Sequence, residues 1–500
     1  MDDYRLKEPF LPIVDPASEP DEPAPLAMPV LRLLDPRRPT WVLVLMLAWP
    51  TLVQQLLVFA VNLFDGLMAG RFQNVAGQEQ IATQAAQTTA NYLAWFLSSC
   101  TILVSVGATA LVARLLGGGD RRGAVHACNQ SILLGVVMGV CGGVAGYFGL
   151  PYILEALQLH GETAEFAAAF LRPLFVLLTF QVVESVGVAA LVGAGDTVTG
   201  MLVLGGVALI NMPLTWLFFT GWGPIPALGF AGIGLGTAVA HALGGLAVLG
   251  VLLRGRAGLR LHWRLLWPNG ALIRRLLWVS VPAGLDSLSL AVGQLWFLSI
   301  VNGALDDTAK AAQGIAIRWE SLSFLSGAAF GTAAMALVGQ NLGAGRPAQA
   351  ARSGWTAFAL GGVWMALMGA VFYVLAPEMF GLFCPKPEQA PIIAVGVQVL
   401  RLVALAQPAL AAAIIFTASL RGAGDTRVPV LFTWFGFFGV RIPLTYLLAC
   451  NQINLGPLGV WHGFGLGLWG AWLAMFIDLW VRGLFFLGRF AGARWQRLRV

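Results

Sequence analysis

Residues 191–200 read LVGAGDTVTG and residues 420–429 read LRGAGDTRVP, so the pentapeptide GAGDT starts at Gly193 and again at Gly422. Two glycines around an alanine, followed by Asp-Thr, read as a tight turn feeding a helix whose N-cap is the Asp or the Thr. That explains one copy but not two. The flanking chain supplies the reason, because other segments repeat at nearly the same separation. AAQ (85–87) returns at 311–313, and LVARLLGGGDRRGA (111–124) aligns without a gap on LVGQNLGAGRPAQA (337–350). MPLTW (212–216) pairs with IPLTY (442–446), GTAVA (236–240) with GAWLA (470–474), Pro50 with Pro282 and Arg172 with Arg401. One half of the chain is written twice.

The medium in which this repeat folds follows from composition. The 500 residues are 58% hydrophobic and 11% charged, against about 45–50% and about 25% for soluble domains. Long uncharged runs recur, each near the roughly 20 residues that a helix needs to cross hydrocarbon. They place about twelve spans, at 41–69, 84–113, 124–150, 164–190, 198–220, 230–254, 273–302, 311–340, 350–376, 390–419, 429–450 and 464–488. The fold class expected is an all-α polytopic membrane protein, with two six-helix bundles at 40–256 and 273–490 joined by a basic linker at 257–272. Six crossings return each half to its starting side, so the halves are parallel repeats related by a pseudo-twofold axis along the membrane normal. GAGDT is then the turn between the fourth and fifth helix of each bundle.

Residues 1–39 are acidic and proline-rich, an expected disordered tail, and 491–500 form a short basic tail. No basic n-region with a short apolar run and a cleavage site occurs, so no cleaved signal peptide is expected. With both termini inside, most of the 30 Lys and Arg fall on the cytoplasmic side, and only Arg71, Lys310 and Lys386 fall outside, as the positive-inside rule asks. The net charge of +6 thus has a membrane origin, and no nucleic-acid partner is called for. The expected address is the inner (cytoplasmic) membrane, the expected state a monomer. The five cysteines lack metal-ligand spacing and read as small core residues.

Ionisable side chains inside a bilayer are costly, so each is a candidate functional group. Asp65 lies late in the first span, with no Lys or Arg within a turn on either side. Gln54, Asn62 and Asp65 fall within about 80° of arc at 100° per residue. An acid there either exchanges a proton or holds Na⁺ with neighbouring oxygens. The aligned position in the second half is Phe297, so only the first bundle carries this acid, while Gln54 aligns with Asp286 and Asn62 with Gln294. Asp286 reads either as a second ion or substrate group or as an acid near a helix start. Asn211 and Thr215 share a face at i, i+4, which also suits a plain interhelical hydrogen bond. Glu320, beside Trp319, suits either a lipophilic cation or an ion pair with Arg441 or Arg401. Asp478 and Arg482, at i, i+4, read as a pair, and the five histidines read as bland.

The first span with Pro50, Asp65 and Met68 to Gly70, the segment LVGQNLGAG (337–345) and the doubled GAGDT together resemble the multidrug and toxic compound extrusion (MATE) family. The resemblance covers about 40–490. It implies cation-coupled efflux of small lipophilic compounds by alternating access, with no cofactor beyond the coupling cation, H⁺ or Na⁺. It also implies that Asp65 is the coupling carboxylate and that Asn211 and Thr215 join it in an ion site, with Gln181 and Glu184 behind them. Thr215 stands where some members have Asn or Asp. The sodium-coupled bacterial branch carries acids where this chain has Leu290 and Leu410, which puts a second-half sodium site in doubt. Gln54, Asn62, Asp286, Gln294, Trp319 and Glu320 are the expected substrate-cavity residues.

GxGD also marks intramembrane aspartyl proteases, but the Tyr-Asp that their second acid requires is missing, and no GxxxxGK[ST] phosphate loop occurs. The chain is therefore expected not to be an enzyme. A flippase for lipid-linked saccharides would place several Arg or Lys in the cavity, where these stripes are mainly acidic. A passive channel has no need of a titratable acid in one bundle alone.

Overall fold

A computed structural model of the chain describes residues 35, 37–70, 99–156, 161–454, 460–492 and 494–498. It is 86% helical. The first half contains α1 (Thr40–Gly70), α2 (described over Ser99–Gly117), α3 (Arg121–Ala156), α4 (Gly161–Val176), α5 (Leu178–Gly193), α6 (Thr197–Thr220) and α7 (Phe230–Arg254). The second contains α8 (Gly270–Ala304), α9 (Asp307–Gly343), α10 (Pro347–Val374), α11 (Ala390–Gly422), α12 (Arg427–Ala449) and α13 (Gly467–Ala491). Eleven helices among the described residues are long and apolar enough to cross a membrane, twelve when α4 and α5 count as one. The expected acidic tail, the AAQ at 85–87 and the start of the second span lie outside the described residues, apart from the tail's last residues.

The doubled turn does the same work twice. Gly195 and Gly424 both take a φ of +84°, a left-handed conformation that only glycine adopts without steric cost. Asp196 accepts from Thr199 N at 3.0 Å as N-cap of α6 and pairs with Arg256 at 2.7 Å. Asp425 pairs with Arg489 at 2.8 Å. In each half a turn carboxylate is therefore tied to an arginine at the end of that half's last helix. The N-cap expectation holds for the first copy alone, since Thr426 at the start of α12 makes no side-chain cap.

The halves meet where α2 crosses its repeat-equivalent α9. A Cβ on Gly117 would collide with the backbone of Gln340, and one on Gly343 would collide with the backbone of Arg114. Gly117 aligns with Gly343 and Arg114 with Gln340, so the crossing is reciprocal about the pseudo-twofold axis. Hydrogen bonds between the halves gather in this part of the molecule. Gly107 N donates to Ser280 Oγ at 2.8 Å, Gln340 Nε2 to Gly193 O at 2.9 Å, and Gln349 Nε2 to Thr40 Oγ1 at 3.1 Å. These contacts hold the two halves together towards the GAGDT end.

Three features depart from the uniform spans that hydropathy suggests. The fourth span breaks at Leu177 into α4 and α5, bent by 56°, one turn after Pro173, where the helix is already short of a hydrogen bond. α12 is interrupted by a π-helical segment, Phe435–Arg441, just before Pro443. The linker is pinned to α3 rather than loose. Asn129 Nδ2 donates to Arg260 O at 2.9 Å, and Gln130 Nε2 donates to Leu265 O and Trp267 O at 2.6 and 2.8 Å. A two-stranded antiparallel ribbon, β1 (Gln452–Asn454) and β2 (Val460–His462), precedes α13.

Candidate coupling and substrate site

In the first half, polar side chains line the contact among α5, α6 and α7. Asn211 and Thr215 are buried on α6, and Thr215 Oγ1 donates to Asn211 Oδ1 at 3.2 Å. Asn211 Nδ2 donates in turn to Thr237 Oγ1 of α7 at 3.2 Å. One turn further along α7, His241 Nδ1 lies 2.7 Å from Glu184 Oε2 of α5. Thr237 and His241, at i, i+4, share a face, so the groups form one polar string from Thr215 to Glu184. Glycine makes the approach possible: a Cβ on Gly236 would strike Thr215, and one on Gly244 would strike Glu184 and Val207. Small residues serve this purpose generally between membrane helices.

Asp65 lies in the last two turns of α1, a half-buried carboxylate on a helix that packs against α6 of its own half and against α9 and α10 of the other. Gln54 is half-buried on the same helix, whereas Asn62 is exposed. Gln181 is half-buried on α5, and its side chain makes no hydrogen bond among the described residues.

The second half puts charge where the first half puts neutral polar groups. Arg441, the repeat-equivalent of Asn211, donates from Nε to Asp478 Oδ2 at 2.8 Å and from Nη1 to Gln294 Oε1 at 3.3 Å. Arg482 donates to both oxygens of Asp478 at 2.7 Å. The Arg441 guanidinium lies 4.1 Å from the centroid of Phe437 and 5.9 Å from that of Phe297, the residue aligned with Asp65. The Asp478–Arg482 pair read from spacing is present, and Arg441 joins it. The π-helical segment ends on Arg441, and such segments often mark functional positions.

Other expectations are corrected. Asp286 is neither an open cavity acid nor an acid at a helix start. It sits in the interior of α8, 1% exposed, and accepts from Arg421 Nη2 at 2.7 Å. Burial without a partner would be costly, and Arg421, the residue before the second GAGDT, supplies one. Glu320 is half-buried and makes no salt bridge among the described residues, although Arg441 and Arg482 are close enough to act on it electrostatically. Arg401 bonds Tyr373 O at 3.4 Å instead. Trp319 packs edge-on against Phe383 at 5.9 Å. His241, read as bland, is a partner of Glu184; the available signal was its place inside an uncharged span, where any ionisable group needs a reason.

Replacing Asn211 by Ala removes two hydrogen bonds, each worth about 0.6 kcal/mol between membrane helices. The thermal midpoint in detergent is expected to fall only slightly, while coupled transport falls at least tenfold. A large loss of stability with transport proportionate to the folded fraction would make Asn211 purely structural.

Duplicated bundles with polar groups gathered inside them and contacts collected at one end define a membrane transporter of two equivalent halves. Comparison with known proteins supplies the family. The MatE family model matches residues 50–217 and 282–447, one segment in each half, and the chain belongs to that family, the multidrug and toxic compound extrusion efflux transporters. Relatives include a probable multidrug resistance protein NorM of Brucella suis, 29% identical over 85% of this chain and 90% of its own length. The multidrug resistance protein PmpM of Pseudomonas aeruginosa is 27% identical over 87% and 90%, and MdtK of Yersinia pestis is 28% identical over 87% and 94%. Among solved structures, a MATE protein in complex with MaL6 superposes with a TM-score of 0.82 at 19% identity, covering 93% of this chain and 99% of its own. A MOP superfamily transporter from Pyrococcus furiosus gives 0.83, also at 19% identity and with the same coverage.

Proposed function

We propose that this protein exports lipophilic organic compounds, cationic or neutral, in exchange for an entering cation that binds at Asp65 with Asn211 and Thr215. The observation that carries the reading is the opposed chemistry of equivalent positions. The first half places an acid and amide and hydroxyl groups at Asp65, Asn211 and Thr215; the second places Phe297, Arg441 and Thr445 there. A coupling cation has one hospitable half. Arg441 and Arg482 are neutralised in part by Asp478 and act electrostatically on Glu320, so the interior keeps an excess of acid once Asp65 and Glu184 are included. That balance suits a cationic or neutral substrate better than a diphosphate-linked lipid.

In the mechanism, the halves rock between a state closed at the GAGDT end and one closed at the other end. Cation binding favours the state that releases substrate, and substrate binding favours the return. The protein sits in the cytoplasmic membrane with both termini inside, so the GAGDT end faces the cytoplasm. Protons are the better candidate for the coupling ion, given that the second half offers no acid at Leu290 or Leu410. The test is reconstitution in liposomes loaded with a fluorescent lipophilic cation, under an imposed proton gradient and then a sodium gradient. Proton-driven movement is expected, and drive by neither gradient would favour the lipid-flippase reading instead.

A further inference from the structure

At the GAGDT end, a cavity of about 530 Å³ opens between the start of α1 in one half and the start of α10 in the other. Arg37 and Arg38 approach it from the first half, Arg346 and Arg352 from the second. All four are exposed. Among the described residues the only acid in the lining is Asp35, whose Oδ1 accepts from Arg37 N at 2.9 Å. Among the described residues, no carboxylate lies within ion-pair distance of the guanidinium of Arg37, Arg38 or Arg352. Elsewhere at this end three arginines do have such partners, Arg256 with Asp196, Arg489 with Asp425 and Arg421 with Asp286, while Arg114 and Arg121 are held by backbone carbonyls. The floor of the cavity is also where the halves touch, through Gln349 and Thr40. Both helices begin here, so the cavity lies at the level of the lipid headgroups.

We infer that this cavity binds the phosphate headgroup of an anionic phospholipid and that the bound lipid clamps the two halves in the state closed at the GAGDT end. Arg37, Arg38 and Arg352 around a cavity at a span end are the arrangement that recognises such headgroups. Because the site is assembled from both halves, a ligand that bridges Arg37 and Arg38 to Arg352 binds the closed state better and shifts the population towards it. The coupling scheme is independent of this site, so either can fail alone.

The test uses the full-length protein in detergent, with phosphatidylglycerol retention read by native mass spectrometry. Each arginine contributes about fivefold to binding at a membrane surface, so R37Q/R38Q/R346Q/R352Q is expected to weaken retention at least a hundredfold. The all-Lys variant at the same positions should retain the lipid, which controls for misfolding. A second control, R122Q/R254Q/R260Q/R264Q, removes the same charge from exposed positions outside the cavity and should also retain it. Equal retention by the cavity variant and the wild type would overturn the proposal, as would equal losses in the two Gln variants. In phosphatidylcholine nanodiscs, phosphatidylglycerol should raise the thermal midpoint of the wild type and inorganic phosphate should not. An equal rise with phosphate alone would make the ligand a soluble anion and overturn the assignment to lipid.

Discussion

Asp478→Ala is expected to destabilise the protein by about 3–5 kcal/mol, because it strips the shared counter-ion from two buried guanidiniums. Asp478 is fully buried and receives Arg441 and Arg482 at 2.7 to 2.8 Å. Truncating it leaves both arginines 8% exposed or less with no carboxylate in contact among the described residues. Phe437 can face the two cations but cannot neutralise them. Asp478→Asn should cost less, since the amide oxygen still accepts one of the bonds. Replacing Asp478, Arg441 and Arg482 together by apolar residues of similar volume should recover most of the loss, since a buried network is costly chiefly when it is broken. Thermal unfolding in detergent reads all three, and a loss below about 1 kcal/mol for Asp478→Ala would show that water or another group reaches the arginines.

The second large effect is expected at the crossing of α2 and α9. Valine at Gly117 or Gly343 places a branched side chain against backbone rather than against a yielding side chain. The halves must then separate at the GAGDT end, and packed interiors do not absorb such a displacement without loss of contacts. Turnover in liposomes should fall at least tenfold for each variant, and the two variants should behave alike because the contacts are related by the repeat. Strong inhibition by one and none by the other would mean that the reciprocal crossing is not part of the transport cycle.

What the sequence disclosed and what it withheld divide along a physical line. Periodic and duplicated features were legible: twelve apolar runs, a pentapeptide written twice, and the i, i+4 pair of Asp478 and Arg482. Each depends on chain-local spacing or on comparison of the chain with itself. Pairings across helices were not legible, because they depend on how each helix is rotated against its neighbours. Asp286 found Arg421 at a distance of 135 residues along the chain, and Glu184 found His241 at 57. The bend at Leu177 was foreshadowed by Pro173, but a proline marks a weak point without fixing an angle. The candidate ion site was legible in part. Asn211 and Thr215 are joined as their spacing suggests, whereas Thr237, which completes the contact from α7, carries no motif of its own.

The central claim is that an acid present in one half alone loads and unloads the coupling cation. Gradient-driven efflux of a fluorescent lipophilic cation, compared between wild type and Asp65→Asn in liposomes of the same composition, tests it most directly. Asp65→Asn should bind the compound with near-native affinity yet lose its response to the proton gradient, by a hundredfold or more. Efflux by the variant that still rises with the gradient as steeply as in the wild type would contradict the account.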